Sequence, residues 1–93
     1  MAADQGLPKA QYNLGLMYFE GLGVQRDNVQ AYFWFDLAAS RFPVSEGGER
    51  NTALTSRDRA AKLISPAQIA EANKLASEWK PKSESKKSRS RFR

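Results

Sequence analysis

Hydrophobic residues recur at helical spacing over four stretches of the chain, and turn-forming residues separate these stretches. The first covers Pro8–Glu20 and the second covers residues 28–40. The third covers about residues 49–64 and has a thin face of alanines, and the fourth follows Ser65. No segment alternates apolar and polar residues as a half-buried strand does. The pattern therefore predicts an all-α fold of two antiparallel helix hairpins.

Local signals mark the ends of three of these helices. Pro8 fits the first turn of helix one, and Gly21 fits a left-handed C-cap at its end. Asp27 can cap helix two by accepting hydrogen bonds from the exposed amides of the first turn. Residues 65–68, Ser-Pro-Ala-Gln, have the form of a capping box with proline at the first helical position. The start of helix four is therefore the best-defined boundary in the chain.

A constellation of small and aromatic residues between positions 2 and 39 is typical of a helix-hairpin repeat. Ala2-Ala3 returns as Ala38-Ala39, a spacing of 36 residues, which lies in the range of helix-pair solenoids. In the stretch that separates these two alanine pairs, large and small side chains alternate along each helix. Two such helices can interlock. The positions are Ala3, Gly6, Ala10, Gln11, Leu14, Gly15, Tyr18, Gly21, Gly23, Val24, Asp27, Ala31, Trp34, Ala38 and Ala39. This arrangement resembles the Sel-one-like repeat, a relative of the tetratricopeptide repeat.

The resemblance implies an α-α superhelix and divides the chain into three parts. Residues 1–43 look like one repeat, in which residues 1–6 resemble the end of a preceding repeat. Residues 44–80 look like the diverged C-terminal capping helix pair of such an array, and residues 81–93 are predicted to be a disordered basic tail. Because repeats bury their apolar faces against neighbours, we expect an open N-terminal repeat face and self-association or dependence on a partner.

Helix one carries apolar residues on both of its sides. In the tetratricopeptide relatives the side that faces away from the hairpin core lines a concave groove for peptides. By resemblance, the candidate partner-binding residues are Lys9, Tyr12, Asn13, Leu16, Phe19 and Glu20. The alternative is that Tyr12, Leu16 and Phe19 simply pack on helices three and four. The predicted function is a protein-protein interaction scaffold or adaptor of the kind found in bacterial proteins.

The net charge of +5 is concentrated at the end of the chain. Residues 80–93 hold seven basic residues and one acidic residue, so the remainder of the chain is close to neutral. The candidate anion-binding residues are Lys82, Lys86, Lys87, Arg89, Arg91 and Arg93. This segment is either a solvated end or an arm that binds nucleic acid or an anionic surface through counterion release. An adaptor that acts through this arm is the alternative function.

The composition argues against catalysis. The chain has no Cys and no His, which rules out thiol chemistry and removes the commonest general base and metal ligand. The carboxylates are scattered, and neither a phosphate loop nor a nucleophile elbow is present. We therefore predict a protein that is not an enzyme and holds no cofactor, and we interpret the aromatic run at residues 32–35 as core. No long apolar run or leader is present, which predicts a soluble cytoplasmic protein, or a periplasmic one if an upstream leader is missing.

Overall fold

The computed structural model describes residue 3 and residues 6–80. Within residues 6–80 it has four α-helices and one short 3-10 helix. The elements in chain order are α1 (Pro8–Glu20), α2 (Asn28–Arg41), the 3-10 helix (Val44–Glu46), α3 (Gly47–Ala61) and α4 (Pro66–Glu78). The described residues contain no strand, which confirms the predicted all-α class. The predicted basic tail, residues 81–93, lies outside the described residues, as do four of the first five residues.

The predicted caps of α1, α2 and α4 are confirmed. Gly21 ends α1 in the left-handed conformation, with φ of 72°. The Asp27 carboxylate accepts from the amides of Val29 and Gln30, each at 3.1 Å. At α4, the Ser65 hydroxyl accepts from the Gln68 amide at 3.1 Å, while the Gln68 side-chain oxygen accepts from the Ser65 amide at 2.8 Å. These bonds satisfy donors that the first turn of a helix leaves free.

The bounds of α3 differ from the prediction at both ends. The helix begins at Gly47, two residues early, and no side-chain bond caps it. It ends at Ala61, three residues early, because the next residues tighten into a 3-10 turn. In that turn the Leu63 amide donates to the Ala60 carbonyl at 3.0 Å. The missing cap explains why the sequence pattern located the start of α3 poorly.

α2 is the central helix of the molecule, because α1, α3 and α4 all pack on it. This arrangement confirms the interpretation of the aromatic run as core. Tyr32, Trp34 and Phe35 are buried, and Phe33 is half-buried. A helix that is contacted from three directions needs apolar residues around most of its circumference.

The α1–α2 contact is closest where Gly15 meets Phe35. A Cβ atom added at Gly15 would lie 2.7 Å from two atoms of the Phe35 ring. Gly15 is one of the small positions of the repeat pattern, and its lack of a side chain accommodates the ring of Phe35. Phe35 is fully buried as a result.

Both helices of the predicted capping pair pack on α2. α3 uses the fully buried Ala53 and Ala60, and α4 uses the fully buried Ala72. α4 is further held by a hydrogen bond of 2.9 Å from the Tyr32 hydroxyl to the Asn73 side-chain oxygen. Alanine faces let backbones approach closely, so these two helices need few large apolar residues.

An ion pair joins α2 to α3 beside this alanine contact. The Arg57 guanidinium donates to the Asp36 carboxylate at 3.1 Å and to the adjacent Asp58 at 3.2 Å. Partial burial of Arg57 opposes its charge, but the hydrogen bonds to the two carboxylates outweigh this effect and raise the pKa of Arg57. Arg57 is therefore charged at every physiological pH. As the pH rises, the pair loses its contribution to stability only in strong alkali, where Arg57 gives up its proton.

Candidate functional site

A groove lies between α1 and α3, with the ring of Phe35 from α2 at its base. It contains a cavity of about 90 Å³. The lining residues are Tyr12, Leu16, Phe19, Glu20, Phe35, Ser56 and Arg59. α1 therefore supplies the apolar wall of the groove, and α3 supplies a polar one.

The structure brings four of the six predicted groove residues to this cavity and leaves two beside it. Tyr12, Leu16 and Phe19 are half-buried, and Glu20 is exposed. Lys9 and Asn13 are exposed on α1 and do not line the cavity.

Packing on α2 holds the apolar wall in place. The Tyr12 and Phe19 rings lie 5.4 Å and 6.2 Å from the Phe35 ring, measured between centroids. The same side chains thus pack on the core and border open space. Their role in binding stays a prediction.

The polar wall on α3 was not predicted. A second, more open cavity of about 310 Å³ continues the groove along α3. It is lined by Tyr12, Asn51, Thr52, Thr55, Ser56 and Arg59. The signal in the sequence was the stripe of polar residues at positions 52, 55, 56 and 59, which the helical repeat places on one face.

Tyr12 joins the two walls of the groove. Its hydroxyl lies 3.3 Å from the Ser56 hydroxyl, at hydrogen-bond distance. α1 and α3 are thereby linked directly, above the α2 surface on which both pack. The bond sets the spacing of the walls at the centre of the groove.

The charged groups at the groove differ in how they are held. Arg57 is engaged by Asp36, whereas Arg59 is exposed and makes no ion pair with any other described residue. The Arg26 guanidinium lies 5.9 Å from the centre of the Phe19 ring, a cation–π contact at the end of the groove. Arg59 is therefore an exposed cationic group in the lining of both cavities.

Two further kinds of feature are absent from the described residues. Within residue 3 and residues 6–80, no three His, Cys, Asp or Glu side chains are grouped so that they could hold a metal ion. In the same part of the chain no helix has the length and apolar character needed to cross a membrane. The six predicted anion-binding residues all lie in 81–93, outside the described residues.

The molecule is an α-α helical repeat protein, as its central helix, its interlocked α1–α2 hairpin and the groove beside it show. The match to known families is more specific than this class. Residues 8–41 match the family described as Sel1 repeat, so this part of the chain is a Sel1 repeat. The resemblance stated from the sequence is thus confirmed.

Two yeast proteins are similar to most of the chain. Chitin synthase regulatory factor 3 of Schizosaccharomyces pombe is 39% identical over 62 residues, which are 66% of this chain and 7% of that protein. Chitin synthase regulator SKT5 of Saccharomyces cerevisiae is 37% identical over 67 residues, which are 72% of this chain and 9% of that protein. The chain thus spans less than a tenth of either relative.

These matches refine the earlier expectations in two ways. Both relatives are fungal, and they lend no support to a bacterial origin. Both are named as regulators, and neither name supports the alternative of a nucleic-acid or anionic-surface adaptor. No solved structure matches the chain.

Proposed function

We propose that this chain is a non-catalytic protein-interaction module that holds a segment of a partner protein in the groove between α1 and α3. The observation that carries the proposal is the pairing of an apolar wall, Tyr12, Leu16 and Phe19, with the polar wall of α3 around one cavity. Binding sites of this kind combine an apolar pocket with a few polar groups that fix orientation. The proposal retains the predicted division into a repeat, residues 1–43, and a capping pair, residues 44–80.

Each wall has a separate task in this proposal. An apolar side chain of the partner enters the cavity above Phe35, and its burial contributes about 1.5–3 kcal/mol. The exposed amide and hydroxyl groups of Asn51 and Thr55 bond to the main chain of the partner segment. Arg59 meets a carboxylate of the partner through charge-assisted hydrogen bonds.

The names of the relatives support a regulatory role that works through binding. Both yeast proteins are named as regulators of chitin synthase. We extend to this chain the idea that it modulates another protein without performing chemistry itself. Chitin synthase, or a protein that accompanies it, is the first partner to test.

Site-specific photocrosslinking tests the groove. The photoreactive residue benzoylphenylalanine replaces Asn13, which is exposed beside the groove, or Ser77, which is exposed on α4. We expect a candidate partner to crosslink at position 13 and not at position 77. Mass spectrometry of the product then identifies the segment of the partner that lies in the groove.

A blocking variant supplies the control for this experiment. Thr55→Trp places a large ring on the exposed wall of the groove without touching the buried core, and Ser77→Trp places the same ring on α4. Crosslinking at position 13 should be lost with Thr55→Trp and retained with Ser77→Trp. Equal crosslinking at both sites, or crosslinking that survives Thr55→Trp, would refute the groove proposal.

A further inference from the structure

A separate apolar cleft lies between α2 and α4 and shares no residue with the groove described above. Its volume is about 210 Å³, enough for one large side chain. The lining residues are Val29, Gln30, Phe33, Ala72, Leu75 and Trp79. Five of these six residues are apolar, and Leu75 is 48% exposed. The cleft is thus an apolar surface that no described residue covers.

Trp79 forms a fixed end wall of this cleft. Its ring packs edge-on against Trp34, with 6.3 Å between centroids and an interplanar angle of 76°. The Arg41 guanidinium lies over the Trp79 ring, 5.2 Å from its centre. Such contacts add to the burial of an aromatic ring and restrict its position. The cleft is therefore formed before any occupant enters it.

Helical spacing places two carboxylates beside Leu75, at the edge of the cleft. Glu71 and Glu78 stand four residues before and three residues after Leu75, so both are its neighbours on the surface of α4. Lys74 lies about 100° further round the helix from Leu75, beyond the two glutamates. An occupant with one apolar ring and several positive charges matches both the cleft and its rim.

We propose that the segment 81–93 of this same chain occupies the cleft, with Phe92 inserted between α2 and α4. The segment has six basic residues and one acidic residue, and Phe92 is its one aromatic residue. The basic residues lie against Glu71 and Glu78 in this arrangement. The sequence predicted either a solvated end or an arm that binds external anions. In this proposal the segment instead has a binding site within its own chain.

The position and length of the segment allow this return. It follows directly on Lys80, which is next to Trp79 at the end wall of the cleft. A random coil of 13 residues has a root-mean-square span of about 20 Å. The α4 wall from Ala72 to Trp79 is only about 10 Å long at the rise of an α-helix. Tethering at this separation gives an effective concentration on the order of millimolar, so modest contacts suffice.

A spin label on the segment tests the proposal in the full chain. Because the protein contains no Cys, Ser90→Cys creates a single attachment site two residues from Phe92. Methyl NMR signals of Val29 and Leu75 report on the cleft, and the methyl signals of Leu16 report on the groove. We expect paramagnetic broadening to be strongest at Val29 and Leu75, independent of protein concentration, and weak at Leu16.

Two variants identify the contacts responsible. Phe92→Ala should abolish the excess broadening at the cleft, whereas Phe92→Trp, which keeps an aromatic ring, should retain it. Replacement of both Glu71 and Glu78 by Gln should weaken the broadening, and added salt should have the same effect on the parent chain.

Three results would overturn the intramolecular assignment. Broadening that is uniform over the molecule means that the segment does not dock. Broadening strongest at Leu16 places the segment in the groove instead. A second copy supplies the segment if the broadening grows with concentration and also appears in an unlabelled chain that is mixed with the labelled one. None of these results depends on a partner protein, so the proposed function is tested separately.

Discussion

Gly15 shows at the scale of one residue how closely α1 and α2 are fitted. A methyl group there would lie 2.7 Å from two ring atoms of Phe35, a side chain that is fully buried. Gly15→Ala gains about 1 kcal/mol of helix propensity. Overpacking of a tight core costs about 1–3 kcal/mol. We expect the cost to prevail and the free energy of unfolding to fall by about 1 kcal/mol.

Gly48→Ala is the matched control for this prediction. Gly48 lies in the first turn of α3, and a Cβ atom added there would meet nothing within 4 Å. The substitution should leave stability unchanged or raise it by up to about 1 kcal/mol. Urea denaturation of both variants gives the comparison. A Gly15→Ala protein as stable as the Gly48→Ala protein would show that Phe35 can move aside.

Gln11 has a structural role that its place in the repeat pattern did not reveal. The side chain is fully buried, and its nitrogen donates to the carbonyl of Ala3 at 3.3 Å. Ala3 is itself fully buried against Leu14 and Trp34. The amide therefore ties the segment before α1 to the core of the hairpin. A spacing pattern identifies such a position, but only the packing shows which carbonyl it serves.

At the scale of elements, the sequence predicted helices where capping chemistry is local and missed features that depend on packing. Asp27 and Ser65 define their helix starts through bonds within three residues. The start of α3 has no such bond, and its predicted bounds were wrong by two or three residues.

The same limit applies to the choice of packing partner. The periodic pattern of α4 shows that Ala72 faces inward, but it does not say that α2 is the surface it meets. For the groove, the repeat pattern located the wall on α1. The wall on α3 depends on how α3 is oriented over α2, which no local signal records.

α4 should be the least protected helix in hydrogen exchange. Ala72 is its one fully buried residue, whereas α2 has seven buried residues and contacts on three sides. Local opening requires less energy where little apolar surface is buried. The amides of α4 should therefore exchange faster than those of α2 in native-state measurements by NMR.

Ser65→Ala sharpens this test. Loss of the hydroxyl of the capping box should cost about 1 kcal/mol of local stability, which is about a fivefold increase in exchange within α4. Exchange of the slowest α2 amides should change less. Equal acceleration in α2 and α4 would mean that α4 opens only when the whole molecule unfolds.

At the scale of the whole molecule, the exposed leucine at the start of α1 predicts weak self-association. A repeat unit buries its faces against neighbours, and Leu7 at the start of α1 is 54% exposed. We expect multi-angle light scattering to show a dimer that forms as concentration rises and that persists at high salt. Leu7→Asp should keep the chain monomeric. Leu63→Asp, at a similarly exposed leucine in the α3–α4 turn, should leave the dimer intact. A monomer at all concentrations would contradict the prediction.

The central position of α2 predicts that the molecule unfolds as one unit and that Phe35 dominates its stability. Phe35 meets Gly15, Tyr12 and Phe19 from α1 and belongs to the same buried cluster as Ala60 of α3 and Ala72 of α4. Phe→Ala at a buried site costs about 3–5 kcal/mol. A domain of this size has only about 5–14 kcal/mol in total. Phe35→Ala should therefore remove a large share of the stability and lower the urea midpoint well below that of the parent chain at 25 °C.

Phe33→Ala provides the contrast, because Phe33 is half-buried and borders the open α2–α4 cleft. Its cost to the free energy of unfolding should be less than half that of Phe35→Ala.

In both variants, and in the parent chain, circular dichroism and tryptophan fluorescence should report one coincident transition in urea, since Trp34 and Trp79 pack together across α2 and α4. Separate transitions would mean that the α1–α2 hairpin stands without α3 and α4. Similar costs at positions 33 and 35 would mean that the centre of the core lies elsewhere on α2.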